Sequence, residues 1–419
     1  MLLESFKFEP LDHCGCNSAS KIFRIYSTQT RENVNLVMKT SQHSQDSTFL
    51  SHLYSPSSSH QPLQLQNQQI FESQGPHSVI KNNKNLRAKE ANQKAITHQK
   101  SKTKIGNEMI SSVDESHCNF HCYMIHKEWQ LLENILPHPN IVQVYKVFEN
   151  VDCFYSQSGI NGKQKASNMI ESSINSQTQD IEQQNNLSPQ ENEHPDSCCA
   201  LLMEEAEMDL FDYVEKHYNL NRSKHISNLI HMYRQIAQGL DHIHSFNYSH
   251  NDIKSENVLI FSNLKEAKIT DFGLANDLND YKGLTRPQII EKQVQQWEYR
   301  CLNHAAPEIL NTLKTRSQDF DEQKADVFAF GVSFFESVFG FRPFAQYALP
   351  SDPIYKHFAN KQSFSRFWKT NAQIQAVLRE INNGDVDIEK LFDIIYKTLN
   401  KNPKQRISSA DLLIDPLFD

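Results

Sequence analysis

The stretch from residue 250 to residue 273, HNDIKSENVLIFSNLKEAKITDFG, constrains this chain more than any other segment. Asp252 is followed two residues later by Lys254 and five residues later by Asn257, and a short apolar strand then leads into Asp271. A lone Asp in a loop usually belongs to a turn or a cap. Four charged or polar residues at these spacings, on both sides of a predicted strand, instead indicate a common polar site.

These residue types suit phosphate transfer, which needs a group that takes a proton from a hydroxyl, a cation that steadies phosphate and ligands for a divalent metal. The pattern HxDxKxxN, followed by DFG fourteen residues after Asn257, resembles the catalytic and metal loops of eukaryotic protein kinases, of the serine/threonine type. The resemblance implies that Asp252 is the catalytic base, that Lys254 neutralises the transferred phosphate, and that Asn257 and Asp271 bind magnesium.

Composition indicates a globular core diluted by polar segments. The chain has 419 residues, a net charge of −8 and 38% hydrophobic residues, and its mean hydropathy is −0.61. Residues about 40–116 and 156–197 are rich in Ser, Gln and Asn, and we predict that both are disordered inserts. The net charge gives no argument for nucleic acid or membrane binding.

The chain shows no secretory signal at its start and no apolar run of the roughly 18 residues that a membrane span needs. We therefore expect a cytoplasmic protein with eight reduced cysteines. The basic run at residues 81–104 is interpreted as a solvated linker, with nuclear targeting as the alternative. The pattern HCxxHC at residues 117–122 has a short spacing for zinc, and we interpret it as a polar flank.

The segment before the first insert reads as three strands, and LVMK places Lys39 at the end of the last one. In the family that the chain resembles, a Lys at this position binds phosphate and pairs with a Glu on the next helix. Glu128, in the helical pattern YMIHKEWQLLENIL, is the best-placed partner. The alternatives are a solvated strand-end Lys39 and a surface Glu128.

The nucleotide-binding residues are also assigned through the resemblance. The best match to a glycine-rich loop keeps only one of three glycines, and a simple hairpin turn fits it equally well; its residues are Gly15, Asn17, Ser20 and Ile22. In the later strand ALLMEE, Met203 would lie behind adenine, and the backbones of Glu204 and Ala206 would bind it. Ile22, Val37 and Leu259 would sandwich the base or pack in the core.

Two further residues depart from the family. Asn251 stands where many members have an Arg that meets a phosphate on the activation segment, which makes this a non-RD catalytic loop, and we expect loop phosphorylation not to be the main switch. Cys301 stands where the family usually has a Thr that binds the catalytic Asp and Lys. Because a thiol is a weak donor, this change is expected to lower turnover or to alter the substrate groove.

Other features of the second half resemble the family's substrate platform. Glu308, in an Ala-Pro-Glu, should pair with Arg406. Asp326 should brace the catalytic loop from a buried helix, or else cap that helix. Asp209 and Glu256 are acidic at positions that, in some relatives, favour basic residues before the phosphoacceptor.

The resemblance implies an α+β, two-lobed fold in which ATP binds between a small antiparallel β lobe with one helix and a larger, mainly helical lobe. We expect residues 1–204, with the inserts, to form the first lobe and 205–419 the second. The expected function is transfer of the ATP γ-phosphate to Ser or Thr of protein substrates, with Mg²⁺. The alternatives are a pseudokinase scaffold and, less favoured, a small-molecule kinase.

Overall fold

The computed structural model describes residues 6–10, 20–27, 33–41, 120–152, 197–297, 300–382 and 386–419. All of these belong to one compact unit. Gly15, Asn17, the basic run and nearly all of both predicted inserts lie outside the described residues. The first three residues of the HCxxHC pattern, 117–119, also lie outside them.

The first part of the chain forms an antiparallel sheet of five strands in the order β1-β2-β3-β5-β4. The strands are β1 (Phe6–Pro10), β2 (Ser20–Ser27), β3 (Asn33–Ser41), β4 (Val144–Asp152) and β5 (Ser197–Glu204). The register places Ile22 opposite Lys39 and Val37 opposite Met203. The stretch after residue 140 forms an isolated bridge at Ile141 and then the single strand β4.

One helix, α1 (Phe120–Asn134), packs on this sheet. Ile125 is buried against Cys199 and Leu201 of β5, as its apolar spacing predicts. The pattern also included Leu136, which is instead 66% exposed. The helix ends two residues earlier, so Leu136 no longer follows the buried face. Glu128, one turn after Met124, lies on the buried side and is 1% exposed.

The second part of the chain is mainly helical. Its helices are α2 (Leu210–Tyr213), which continues as a π-helix (Val214–Tyr218), α3 (Arg222–Ser245), α4 (Arg286–Trp297), α5 (Pro307–Thr315), α6 (Glu322–Phe339), α7 (Lys361–Thr370), α8 (Ala372–Ile381), α9 (Ile388–Thr398) and α10 (Ser409–Leu413).

Helix α6 forms the centre of this lobe because its sequence is apolar on almost every face. Phe328, Phe330 and Phe334 are fully buried, and each buried aromatic side chain contributes about 1.5–3 kcal/mol relative to an exposed one. Tyr233 of α3 packs edge-on against Phe330, with ring centroids 5.4 Å apart. The helix therefore gives the loops around its first turn a rigid base.

Short paired strands carry residues 250–273. The strands β6 (Met208–Asp209), β8 (Val258–Phe261) and β9 (Glu266–Ile269) form one small sheet, and β7 (Tyr248–Ser249) pairs with β10 (Asn276–Asp277). Residues 250–257 connect β7 to β8, and residues 270–275 connect β9 to β10, so both loops run between the same two small sheets. The predicted α+β class, with a small antiparallel lobe and a larger helical lobe, is confirmed. Within the described ranges, no helix is both long and apolar enough to cross a membrane.

Candidate active site

Asp326 of α6 holds the loop after β7 in place. The backbone N–H groups of His250 and Asn251 donate to its two carboxylate oxygens, each at 2.7 Å. Asp326 is 2% exposed, so these are charge-assisted bonds inside the protein. The prediction that Asp326 braces the loop therefore agrees with the geometry. The alternative, that it caps α6, is wrong, because Asp321 is the N-cap and accepts from Lys324 N.

Three predicted catalytic residues meet within this loop. Lys254 Nζ lies 2.7 Å from Asp252 Oδ2, and Asn257 Nδ2 donates to the same oxygen at 2.8 Å. The amide of Asn257 also donates to the backbone oxygen of Asp252 at 2.9 Å. Asp252 is thereby fixed in orientation between a cation and an amide. The arrangement can accept a hydroxyl proton and hold a cation beside the acceptor.

Lys39 meets two carboxylates that come from distant parts of the chain. Its Nζ lies 2.9 Å from Glu128 Oε2 and 3.0 Å from Asp271 Oδ1. Lys39 is buried, as is Glu128, whereas the Asp271 side chain is 36% exposed. Lys39 is therefore neither solvated at a strand end nor facing a surface Glu. The contact joins β3, α1 and the loop after β9.

Burial and charge act in opposite directions on these groups. Burial alone would lower the pKa of Lys39, but Asp271 and Glu128 outweigh it and raise that pKa. Burial likewise favours neutral Asp271, yet Lys39 holds the pKa of Asp271 below its usual value. Lys39 therefore stays charged at neutral pH, and Asp271 stays an acceptor. The balance is similar for Lys254. Burial would lower its pKa, but Asp252 outweighs burial, so the pKa of Lys254 is raised.

Asp271 adopts a left-handed backbone, with φ of 65°, a conformation that Asp tolerates better than most non-glycine residues. The next residue, Phe272, is fully buried and packs edge-on against the His250 ring at 4.9 Å. His250 Nε2 in turn lies 3.0 Å from Thr270 O. These contacts turn the Asp271 side chain towards Lys39 while anchoring the residues on either side.

Asn257 and Asp271 were predicted as magnesium ligands. The contacts of Asn257 use its Nδ2, which leaves the amide oxygen as the atom that can bind a cation. Asp271 offers a partly exposed carboxylate. Carboxylate and amide oxygens are the ligands that hard divalent cations prefer, so these side chains fit magnesium. Among the described residues, no group of three or more His, Cys, Asp or Glu side chains is placed so that it could hold a metal ion.

The predicted nucleotide residues are only partly described. Gly15 and Asn17 lie outside the described residues, and Ser20 and Ile22 are placed only by their backbone in β2. Val37 and Met203 are buried opposite one another, and Leu259 is half-buried in β8. The backbone N–H of Glu204 donates to Gln143 O at 3.1 Å, so this group is used inside the lobe. Ala206 follows in the connector between the sheets.

The carboxylate of Glu204 pairs with Lys268 Nζ at 2.8 Å. It also accepts from Gln143 N at 2.8 Å. These contacts fix the connector after β5 to both the first sheet and β9.

The substrate-side residues are also placed. Arg406 makes the expected pair with Glu308, with Nη1–Oε1 at 2.6 Å and Nη2–Oε2 at 3.0 Å. Cys301 is exposed. Asp209 caps α2 by accepting from Asp212 N at 2.7 Å, and Glu256 lies close enough to contribute to its electrostatics.

Sequence reasoning missed Glu322, in the first turn of α6. It is 2% exposed and accepts from Asn251 Nδ2 at 2.9 Å and from Asn276 Nδ2 at 2.8 Å. The available signal was its position four residues before Asp326, which puts both carboxylates on one face of the helix.

Comparisons with known proteins give a family match over much of the same region. The model of the protein kinase domain matches residues 92–418. That match begins after β3, so the placement of Lys39 rests on the contacts described above.

Several curated relatives carry serine/threonine kinase names. A probable serine/threonine-protein kinase, HSL1, of Saccharomyces cerevisiae is 27% identical over 210 residues, or 50% of this chain and 11% of the relative. The mitosis inducer protein kinase cdr1 of Schizosaccharomyces pombe is 25% identical, over 50% of this chain and 29% of the relative. An SNF-related serine/threonine-protein kinase of rat is 30% identical over 33% of this chain and 16% of that protein. The chain therefore spans less than a third of each of these relatives.

Proposed function

The chain belongs to the protein kinase domain family, and we propose that it is an active enzyme that transfers the γ-phosphate of ATP to Ser and Thr hydroxyls of protein substrates. The observation that carries this proposal is the position of Lys39 Nζ, 2.9 Å from Glu128 and 3.0 Å from Asp271. A buried Lys held between two carboxylates has little structural advantage over an apolar replacement. It is, however, what a phosphate-binding site requires.

Each site residue then has one task. Asp252 accepts or orients the substrate hydroxyl proton, and Lys254, 2.7 Å away, neutralises charge that builds up during transfer. Lys39 holds the non-transferred phosphates. Asn257 and Asp271 would hold magnesium, whose chemistry is to neutralise phosphate oxygens and align them for transfer. Met203, Val37 and Leu259, with the connector backbone at Glu204 and Ala206, would bind adenine.

A pseudokinase scaffold is the alternative, and two observations favour it. The best match to a glycine-rich loop keeps one glycine of three, and Cys301 stands where the family usually has a Thr. Against it stands the geometry of the Asp252 cluster, in which Lys254 and Asn257 both bind one carboxylate oxygen. A protein that only binds partners does not need that arrangement. A small-molecule kinase is less favoured because the Glu308–Arg406 pair resembles the protein-substrate platform.

The test is phosphate transfer from labelled ATP and Mg²⁺ to a generic protein substrate, for the wild type beside Asp252→Asn. We expect transfer by the wild type and a loss of about a hundredfold or more in the variant, the usual size of a general-base contribution. Asp393→Asn is the matched control, because Asp393 is a partly exposed acid on α9 that pairs with surface Lys361. Equal transfer by the wild type and Asp252→Asn would refute the assignment. Thermal stabilisation by nucleotide without transfer would instead support the scaffold.

We also propose that the chain works in the cytoplasm, with nuclear entry through the basic run at residues 81–104 as the alternative to a solvated linker. The support is sequence composition alone. Imaging of a fluorescent fusion, with the Lys and Arg residues of that run changed to Gln, tests it. Exclusion of both forms from the nucleus would remove the nuclear part of the proposal.

A further inference from the structure

Five uncharged groups donate hydrogen bonds to the buried carboxylate of Glu322. Its Oε2 accepts from Ser249 Oγ at 2.7 Å, Asn276 Nδ2 at 2.8 Å and Asn251 Nδ2 at 2.9 Å. Its Oε1 accepts from the Tyr281 hydroxyl and from Gln293 Nε2 at 3.3 Å. We call these six residues the Glu322 cluster.

The donors of the Glu322 cluster come from three functionally different segments. Ser249 and Asn251 belong to the catalytic loop, beside Asp252. Asn276 and Tyr281 follow the Asp-Phe-Gly at the start of the activation segment, and Gln293 is in α4, further along that segment. Glu322 itself is in the first turn of α6, where a helix favours negative charge. One fixed carboxylate therefore ties the activation segment to the catalytic loop.

The cluster also explains the departure at Asn251. An Arg at this position, in the family that the chain resembles, would need an anion supplied by phosphorylation of the activation segment. Asn251 is uncharged, and its amide already reaches a carboxylate that the chain encodes. It has a left-handed backbone, with φ of 65°, which Asn tolerates better than most residues.

From these contacts we propose that Glu322 is a built-in replacement for an activation-segment phosphate, so that the segment is held in its working position without covalent modification. This proposal rests on the proposed kinase function and specifies its regulation. Glu322 acts as a positioning residue, through Asn251 and the segment, and does not touch the substrate.

Phosphorylation at Tyr281 would act against this arrangement. The phenol now donates to Glu322, and burial together with Glu322 raises its pKa, so it keeps its proton. A phosphate there could no longer donate, and it would set two negative groups against each other in a buried place.

The test compares full-length wild type and Glu322→Gln after complete dephosphorylation, checked by intact mass. We measure kcat, the KM for ATP and hydrogen exchange of peptides covering residues 276–297. After dephosphorylation the wild type should keep its kcat, and residues 276–297 should stay protected from hydrogen exchange. Because hydrogen bonds to a charged carboxylate are stronger than those to a neutral amide, Glu322→Gln should lower kcat by about tenfold to a hundredfold with little change in KM. It should also speed exchange in those peptides.

Two further variants keep the test decisive. Glu291→Gln makes the same change on an exposed face of α4 and should leave kcat and exchange unchanged. Tyr281→Phe removes a single donor without altering α6, so it should speed exchange locally even if Glu322→Gln fails to fold.

Dephosphorylated wild type that loses activity, and regains it on rephosphorylation, would overturn the proposal. So would unchanged exchange in both Glu322→Gln and Tyr281→Phe. If the wild type never transfers phosphate, the kinase proposal fails, but the exchange data still decide whether Glu322 holds the segment.

Discussion

Lys39 and Glu128 lie 89 positions apart in the chain, yet Lys39 Nζ is 2.9 Å from Glu128 Oε2. The contact is buried, and Asp271 shares the same ammonium at 3.0 Å. The entropic cost of closing a loop grows only slowly with its length. A long insertion between Lys39 and Glu128 is therefore compatible with a specific pair. The position of helix α1 is therefore linked directly to Asp271 through Lys39.

The first prediction concerns Glu128→Gln, which removes the charge but keeps the size of the side chain. Lys39 would keep only Asp271 as an anionic partner, and it would shift towards it. Because a lost hydrogen bond to a charged group costs about 1.5–3 kcal/mol, kcat/KM for ATP should fall by about tenfold to a hundredfold. Steady-state kinetics with varied ATP measures this.

Glu133→Gln is the matched control for that variant, because Glu133 is exposed on the same helix. It should behave like the wild type. If both variants show the same kcat/KM as the wild type, the Lys39–Glu128 contact does not serve nucleotide binding.

The second prediction concerns Arg406, whose side chain is fully buried. It donates to both Glu308 oxygens and to the backbone oxygens of Lys324 and Asn400. Removing one partner of a buried pair leaves the other charge uncompensated, at a cost of about 3–5 kcal/mol. Arg406→Met should lower the free energy of unfolding by that amount, measured by denaturant unfolding.

Two comparisons make the Arg406 prediction specific. Lys361→Ala breaks an exposed pair with Asp393 and should cost no more than about 1 kcal/mol. The double variant Arg406→Met with Glu308→Gln removes the uncompensated charge, so it should lose less than the sum of the two single variants. If the losses in free energy of unfolding of the two single variants add up to that of the double variant, Arg406 and Glu308 are not coupled.

The contacts among the three loop residues could be predicted from the sequence because the information for them is local. Asp252, Lys254 and Asn257 lie within six consecutive residues, and a fixed loop brings them together wherever the loop sits. The β8–β9 hairpin then carries Asp271 back to the same side. The family and the fold class followed from this one stretch.

Other parts could not be predicted because their information is spread over the chain. The donors of the Glu322 cluster are Ser, Asn, Tyr and Gln, residues that are ordinary in loops, and they come from separate segments. Only the position of α6 brings them to one carboxylate. For Asp326, the sequence also allowed a capping role, because it does not show whether Asp321 or Asp326 precedes the first turn of α6. Leu136 matched the apolar spacing of α1 but lies past its end.

The third prediction concerns Cys301, which is exposed, whereas Cys122 and Cys199 are buried. A hydroxyl donates a stronger hydrogen bond than a thiol. In the family, the Thr at this position binds the catalytic Asp and Lys. Cys301→Thr should therefore strengthen that contact and raise kcat by up to about tenfold, the effect of one hydrogen bond of ordinary strength. Cys301→Ala should not, and the two are compared in the same transfer assay. Identical kcat values for both variants and the wild type would show that this position does not align the catalytic residues.

The last prediction is a pH dependence at Asp209. Burial raises the pKa of Asp209 to about 6, and the carboxylates of Asp212 and Glu256 add to the shift. Since the folded pKa lies above the ordinary carboxyl value of about 3.9, the neutral form is favoured by folding. That contribution to stability is complete below about pH 3.9 and is lost as the pH rises through about 6. The negative charge that would attract a basic substrate is present only above that range.

We therefore expect the preference for a peptide with upstream Arg, over its neutral counterpart, to increase from pH 5 to pH 7 with a midpoint near the pKa of Asp209, about 6. The measured quantity is the ratio of the two kcat/KM values at each pH, which cancels changes that affect both peptides. Asp209→Asn should keep the cap of α2, because Asn is as good an N-cap as Asp, and should make the ratio independent of pH. A wild-type ratio that stays constant over this range would remove Asp209 from substrate selection.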